Sequence, residues 1–118
     1  MNLSVTSETY DRYLKVTVTG QWQLDDVLEL IQVIKAEAER AGRERVLVDL
    51  RGVDGRPSQM DRFFAGKQVA EDLGKFRIAV VSRPEYINKF AENTAVNRGA
   101  RFAVMPSEEE AINWLGQR

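Results

Sequence analysis

The chain has 118 residues, with 17 Lys and Arg against 18 Asp and Glu and a formal net charge of −1. That length fits one domain able to bury roughly two-thirds of its unfolded surface, and the balanced charge excludes a bulk basic field for nucleic acid or an anionic membrane. Cys and His are both absent, which removes disulfides, Cys-based zinc sites, thiolate catalysis and the Ser-His and Cys-His pairs.

Leu3, Val5 and Ser7 alternate with Ser4, Thr6 and Glu8, the period of a half-buried strand. Asp11-Arg12 reads as a turn. Residues 13–20 read as a second strand, with Leu14, Val16 and Val18 on one face. The short connection predicts an antiparallel hairpin. Leu24, Val27, Leu28, Ile31, Ile34 and Ala38 then follow helical spacing, and Gly42 stands just past the end.

Residues 45–50, Arg-Val-Leu-Val-Asp-Leu, are apolar on consecutive positions, as in a parallel strand covered on both faces. Residues 51–57 hold two glycines and a proline and read as a loop. A second helix is expected over residues 58–73, with Ser58 as N-cap, Asp61 in the first turn, and Met60, Phe63, Phe64, Ala70 and Leu73 mostly inward. Residues 76–81 read as a strand. Pro84 suits the start of a third helix with Ile87, Phe90, Ala91, Thr94 and Ala95 inward. Residues 101–105 form the last strand. Ser107 with Glu110 reads as a capping box for a final helix burying Ala111, Ile112, Trp114 and Leu115.

The order is ββαβαβαβα. It predicts one α/β domain with a five-stranded, mostly parallel sheet, an antiparallel first strand at or near an edge, and four helices. No apolar run approaches the roughly 20 residues that span a bilayer, and residues 1–5 lack the features of a signal peptide. The expectation is a cytoplasmic protein without an integral membrane segment.

Ligands and partners of open α/β sheets use the carboxyl ends of the strands. Here that edge gathers residues 21–23, 51–58, 82–85 and 105–107. Its candidate binding residues are Trp22, Arg51, Asp54, Arg56, Ser58, Arg62, Arg83 and Glu85. Ser58 at a helix start is a backbone cap first. It is also a candidate phosphorylation or anion site, since a phosphate there would meet free N–H groups with Arg56 and Arg62 nearby. Neighbours on a helix diverge by about 100°, so Phe63 and Phe64 cannot both face inward equally. One of them is a candidate for an apolar patch serving a dimer or a hydrophobic ligand. Asp49, Asp54 and Asp61 match no metal-binding loop. Neither the GxGxxG nor the GxxxxGK[ST] pattern occurs. No metal, cofactor or nucleic-acid partner is expected.

With the element order in place, Val48-Asp49-Leu50-Arg51-Gly52-Val53 resembles the STAS domain of anti-sigma-factor antagonists, over essentially the whole chain. Asp61-Arg62-Phe63-Phe64, residues 87–93 and Asn97-Arg98-Gly99 are similar to the SpoIIAA-like, or STAS/SEC14-like, subgroup. In the antagonists a strand ending in Asp-Leu-Ser-Gly precedes a loop and an Asp-Ser pair whose serine a partner kinase phosphorylates, breaking binding. Ser58 falls at that serine's position. Pro57 stands in place of the preceding Asp, Gln59-Met60 in place of small residues, and Arg51 in place of a serine. The resemblance implies a non-enzymatic binding or regulatory module with a protein partner. The SEC14-like comparison implies, as an alternative, a carrier of a small hydrophobic or lipid ligand lined by Phe63, Phe64 and Phe90. Trp22 and the paired phenylalanines make a homodimer a further expectation. An enzyme is the weakest reading, because acid–base work would fall to Asp, Glu, Lys or Tyr without a visible constellation.

Overall fold

The apolar runs of the sequence become the strands of one five-stranded sheet. The computed structural model describes residues 1–117. In chain order they form β1 (Ser4–Thr9), β2 (Leu14–Gln21), α1 (Leu24–Ala41), β3 (Arg45–Asp54), α2 (Gln59–Asp72), β4 (Arg77–Val81), a 3-10 turn (Pro84–Tyr86), α3 (Phe90–Asn97), β5 (Arg101–Met105) and α4 (Glu108–Leu115). The spatial order is β1-β2-β3-β4-β5. β1 runs antiparallel to β2 at one edge, with Val5 opposite Val18. The other neighbours are parallel. This is the expected ββαβαβαβα architecture.

Because consecutive residues of β3 point to opposite faces, its apolar run serves two layers. Val46 and Val48 join Val16, Ile78, Val80 and Phe102 beneath Ile31 and Ile34 of α1 and Val69 of α2. Leu47, Ala79, Val81 and Met105 face the other way and are covered by Ala111 and Leu115 of α4. The short α4 is pinned at its end by two cations. Arg77 lies 3.8 Å from the Trp114 ring centroid and donates to the Trp114 carbonyl at 2.8 Å. Arg45 donates to the Leu115 carbonyl at 2.5 Å. Both positive charges sit at the helix C-terminus, where the dipole favours them.

Four features differ from the sequence-based expectation. β3 continues to Asp54 instead of ending near Leu50. A register shift between Thr17 and Thr19 lets Gly52, Val53 and Asp54 pair with Thr19, Gly20 and Gln21. Gly52 permits the approach, since a Cβ there would stand 2.7 Å from Thr19 Cγ2. Second, the segment after Pro84 is a single 3-10 turn, and the helix proper starts only at Phe90. Asn88 interrupts it: its Oδ1 accepts the Phe90 N–H at 3.0 Å and its Nδ2 donates to Gln59 Oε1 at 2.9 Å. Third, the inner stripe of α2 is Arg62, Ala65, Gly66 and Val69, continuing to Leu73. Met60 and Phe64 are exposed, as are Phe90 and Ile112. Fourth, only half of the capping-box pattern is seen at Ser107, which accepts the Glu110 N–H at 3.2 Å while its hydroxyl donates to the Glu110 carboxylate.

The strand order never reverses, so there is no topological switch point and no crevice of that kind. The space that opens at the carboxyl edge lies between the sheet and the layer of α1 and α2.

Candidate functional site

The exits of β2, β3 and β4 and the start of α2 are cross-braced by hydrogen bonds. The Trp22 N–H donates to the Asp54 carbonyl at 2.7 Å. The Trp22 indole Nε1–H donates to Asp61 Oδ2 at 2.9 Å. That same oxygen accepts the Ser58 N–H at 3.4 Å, while the Asp61 N–H donates to Ser58 Oγ at 3.0 Å. Ser58 and Asp61 thus form a capping box in which Asp61 also holds the indole. Gly55, with φ of +103°, makes the tight turn between them, and a Cβ there would stand 3.3 Å from Trp22 Cβ.

From the β4 side, Arg83 Nη2 pairs with Asp54 Oδ1 at 2.6 Å, and its Nε–H donates to the Arg51 carbonyl at 2.8 Å. The Gly55 N–H donates to the Tyr86 hydroxyl oxygen at 3.3 Å. The guanidinium groups of Arg56 and Arg83 lie 5.3 and 5.8 Å from the Tyr86 ring centroid, within cation–π range. Trp22, Ser58 and Arg83 therefore share one rim. Arg56, Ser58 and Glu85 are exposed on it.

Two candidate residues lie elsewhere than a flat rim would place them. The Arg51 side chain turns to the α4 face. Its Nε and Nη2 hold Asp49 at 3.0 and 2.9 Å, and Nη2 reaches Glu108 at 3.3 Å. Arg62 is buried at 8% exposure, on the inner stripe of α2. Tyr86, which the sequence reading passed over, braces the rim; it stands two residues after Pro84, one residue beyond the segment assigned to this edge.

Below the rim is a cavity of about 120 Å³, lined by apolar side chains of α1, α2 and the sheet, with Trp22, Pro57, Ser82 and Tyr86 also lining it. Phe63, Phe64 and Phe90, expected to line a carrier's ligand site, do not border it. Phe63 packs edge-on to Phe64 at 5.5 Å between centroids, and Arg98 lies 5.2 Å from the Phe63 ring. Asp49, Asp54 and Asp61 are engaged by three different partners, Arg51, Arg83 and Trp22. Among the described residues no group of acidic side chains converges as a metal site would require, and no helix is long and apolar enough to cross a membrane.

Two measurable consequences arise here. Ser58→Ala removes the acceptor of the Asp61 N–H, and is expected to lower stability by about 1 kcal/mol in urea unfolding. Ser58→Asp, which keeps an acceptor, should lose less than half of that. The second concerns acid. Hydrogen bonds from the Arg51 side chain hold the Asp49 carboxyl below its usual range, aided by the Arg51 backbone N–H and charge and opposed by burial. A carboxyl with a depressed folded pKa stabilises the fold above its unfolded value of about 3.9, and that contribution is lost as pH falls through the folded value. Asp49→Asn is therefore expected to be less stable than the natural chain at pH 7. The gap should narrow under acid, once Asp49 itself is protonated. A gap of constant size in unfolding curves at both pH values would contradict the pairing.

No protein-family model and no curated protein matches the chain by sequence. Solved structures do match by shape. An anti-sigma factor antagonist from Mycobacterium paratuberculosis superposes with a TM-score of 0.64 at 17% identity, covering 98% of this chain and 95% of that one. An uncharacterised protein with a SpoIIAA-like fold from Shewanella loihica gives 0.59 at 18% identity, over 97% and 93%. The chain has a SpoIIAA-like fold.

Proposed function

We propose that the chain is a non-enzymatic regulatory module that binds a protein partner through its strand-end rim, centred on Trp22 and Ser58. The observation that carries this reading is the cross-bracing of the rim: four backbone segments are held by the Trp22–Asp61, Trp22–Asp54, Arg83–Asp54 and Gly55–Tyr86 hydrogen bonds and ion pair. A surface fixed in advance loses little conformational freedom on binding. It also presents the residue types that anchor protein interfaces, Trp, Tyr and Arg. The engagement of Asp54 and Asp61, together with the lack of His and Cys, favours recognition over catalysis. The similarity in fold to an anti-sigma factor antagonist adds a regulatory protein with a protein target to that picture.

Ser58 gives the rim a switch. Phosphorylation would add a charge of about −1.5 to −2 directly beside Asp61, the carboxylate that holds the Trp22 indole. Repulsion between the two would loosen the bracket and change the surface the partner reads.

The absence of cysteine makes any introduced thiol a unique handle. A photo-crosslinker on Glu85→Cys, at the rim, is compared with one on Glu44→Cys, at the opposite end of β3, in extracts of the native host. The rim handle is expected to give a discrete protein adduct that Ser58→Asp abolishes. The same adduct arising from Glu44→Cys, or surviving Ser58→Asp at full yield, would count against the proposal.

A further inference from the structure

The cavity under the rim contains one charged side chain. Arg62 lines it amid mostly apolar residues such as Val27, Ile31, Val48, Val69 and Val80. Arg62 is 8% exposed, and its Nε is enclosed without a hydrogen-bond partner. Among the described residues no carboxylate forms an ion pair with it.

Three effects act against this charge. Burial strips its water and Arg56 brings a like charge near; together they pull its pKa below the usual arginine value. The residue also lies one turn into α2, near the positive end of the helix dipole, where a cation is unfavourable. Folding alone would favour a methionine or leucine at this place. An anion seated in the cavity would offset the cost of all three.

The walls decide which anion. The volume of about 120 Å³ is close to that of an engineered apolar cavity, roughly 150 Å³, that takes benzene. It suits an aromatic ring or a branched chain of about six carbons and is too small for a long acyl chain. A guanidinium presents a planar fork that matches the two oxygens of a carboxylate. A phosphate would bring further oxygens and a second charge into walls that carry no other cation, with only the Ser82 hydroxyl and the aromatic polar groups at hand.

We propose that the cavity binds a small monocarboxylate with a compact apolar body, its carboxylate paired with the Arg62 guanidinium and its body against α1 and the sheet. This site stands whether or not the rim above it binds a protein.

The test titrates the full chain, labelled with nitrogen-15, with sodium benzoate, 4-methylpentanoate, neutral benzamide and inorganic phosphate. At least one of the two carboxylates is expected to saturate, shifting the Trp22 indole signal and the amides of α2. Benzamide should bind at least tenfold more weakly, and phosphate should leave the cavity signals in place. Arg62→Met is expected to melt at a higher temperature than the natural chain while losing at least tenfold in carboxylate affinity. If Arg62→Met does not fold, Arg62→Lys carries the comparison. At least a threefold loss of carboxylate affinity, with benzamide unchanged, then supports the site, and unchanged carboxylate affinity overturns it. Failure of both carboxylates to saturate, equal binding by folded Arg62→Met, or equal shifts from phosphate would each overturn it as well.

Discussion

Gly66→Ala is expected to destabilise the protein by about 1–3 kcal/mol, the usual range for overpacking, and to lower its melting temperature by roughly 4–12 °C. On an open helix face the same exchange stabilises by about 1 kcal/mol, because alanine is the better helix former. The sign reverses here because α2 and α3 touch at this residue. A Cβ on Gly66 would stand 2.5 Å from the Ala91 carbonyl oxygen and 2.9 Å from Thr94 Cβ. The first is a backbone atom and can yield only if α3 moves. Gly66→Val should go further in the same direction. Differential scanning calorimetry checks both variants, and a stabilised Gly66→Ala would show that the helices are not in contact there.

Trp22→Ala is expected to lower stability by about 3 kcal/mol, the low end for truncating a large aromatic in a core, since Trp22 is half-buried. It removes part of the cavity lining and the donor to Asp61 together. Trp22→Phe separates the two contributions. The ring keeps most of the apolar contact, and the lost indole hydrogen bond should cost about 1 kcal/mol. Asp61 Oδ2 retains the Ser58 N–H as a donor, so the capping box survives in Trp22→Phe. Urea unfolding with unchanged m-values is the appropriate reading. Equal losses in the two variants would mean that the hydrogen bond, and not the ring, holds the rim.

Regular periodicity made the fold legible. Alternation in β2 and consecutive apolar residues in β3 and β4 identified the strands, and the run in β3 identified its two-sided cover. Ser58 announced itself as an N-cap by residue type and position; that Asp61 closes a capping box with it is seen only in the structure. The errors cluster where tertiary contact overrides local pattern. Gly52 and Asp54 look like loop residues, yet a register shift between β2 and β3 supplies them with strand partners. Met60 was read as core because it is apolar, but the face it occupies is open to solvent. Arg62 was read as surface because it is charged. Its spacing to Ala65, Gly66 and Val69 is that of one helix face, so position rather than residue type carried the signal. The rim was legible as an edge. Its bracing by Tyr86 and the cavity below it depend on how three elements meet, which no local pattern encodes.

The most direct test of the rim as the working surface is amide shift mapping of the nitrogen-15 labelled chain against the protein captured through Glu85→Cys. The expected shifts fall on the Trp22 amide and indole, on residues 54–58 and on residues 82–86. Shifts confined to the outer faces of α1 and α4, Ile112 among them, with the Trp22 indole signal unmoved, would contradict it.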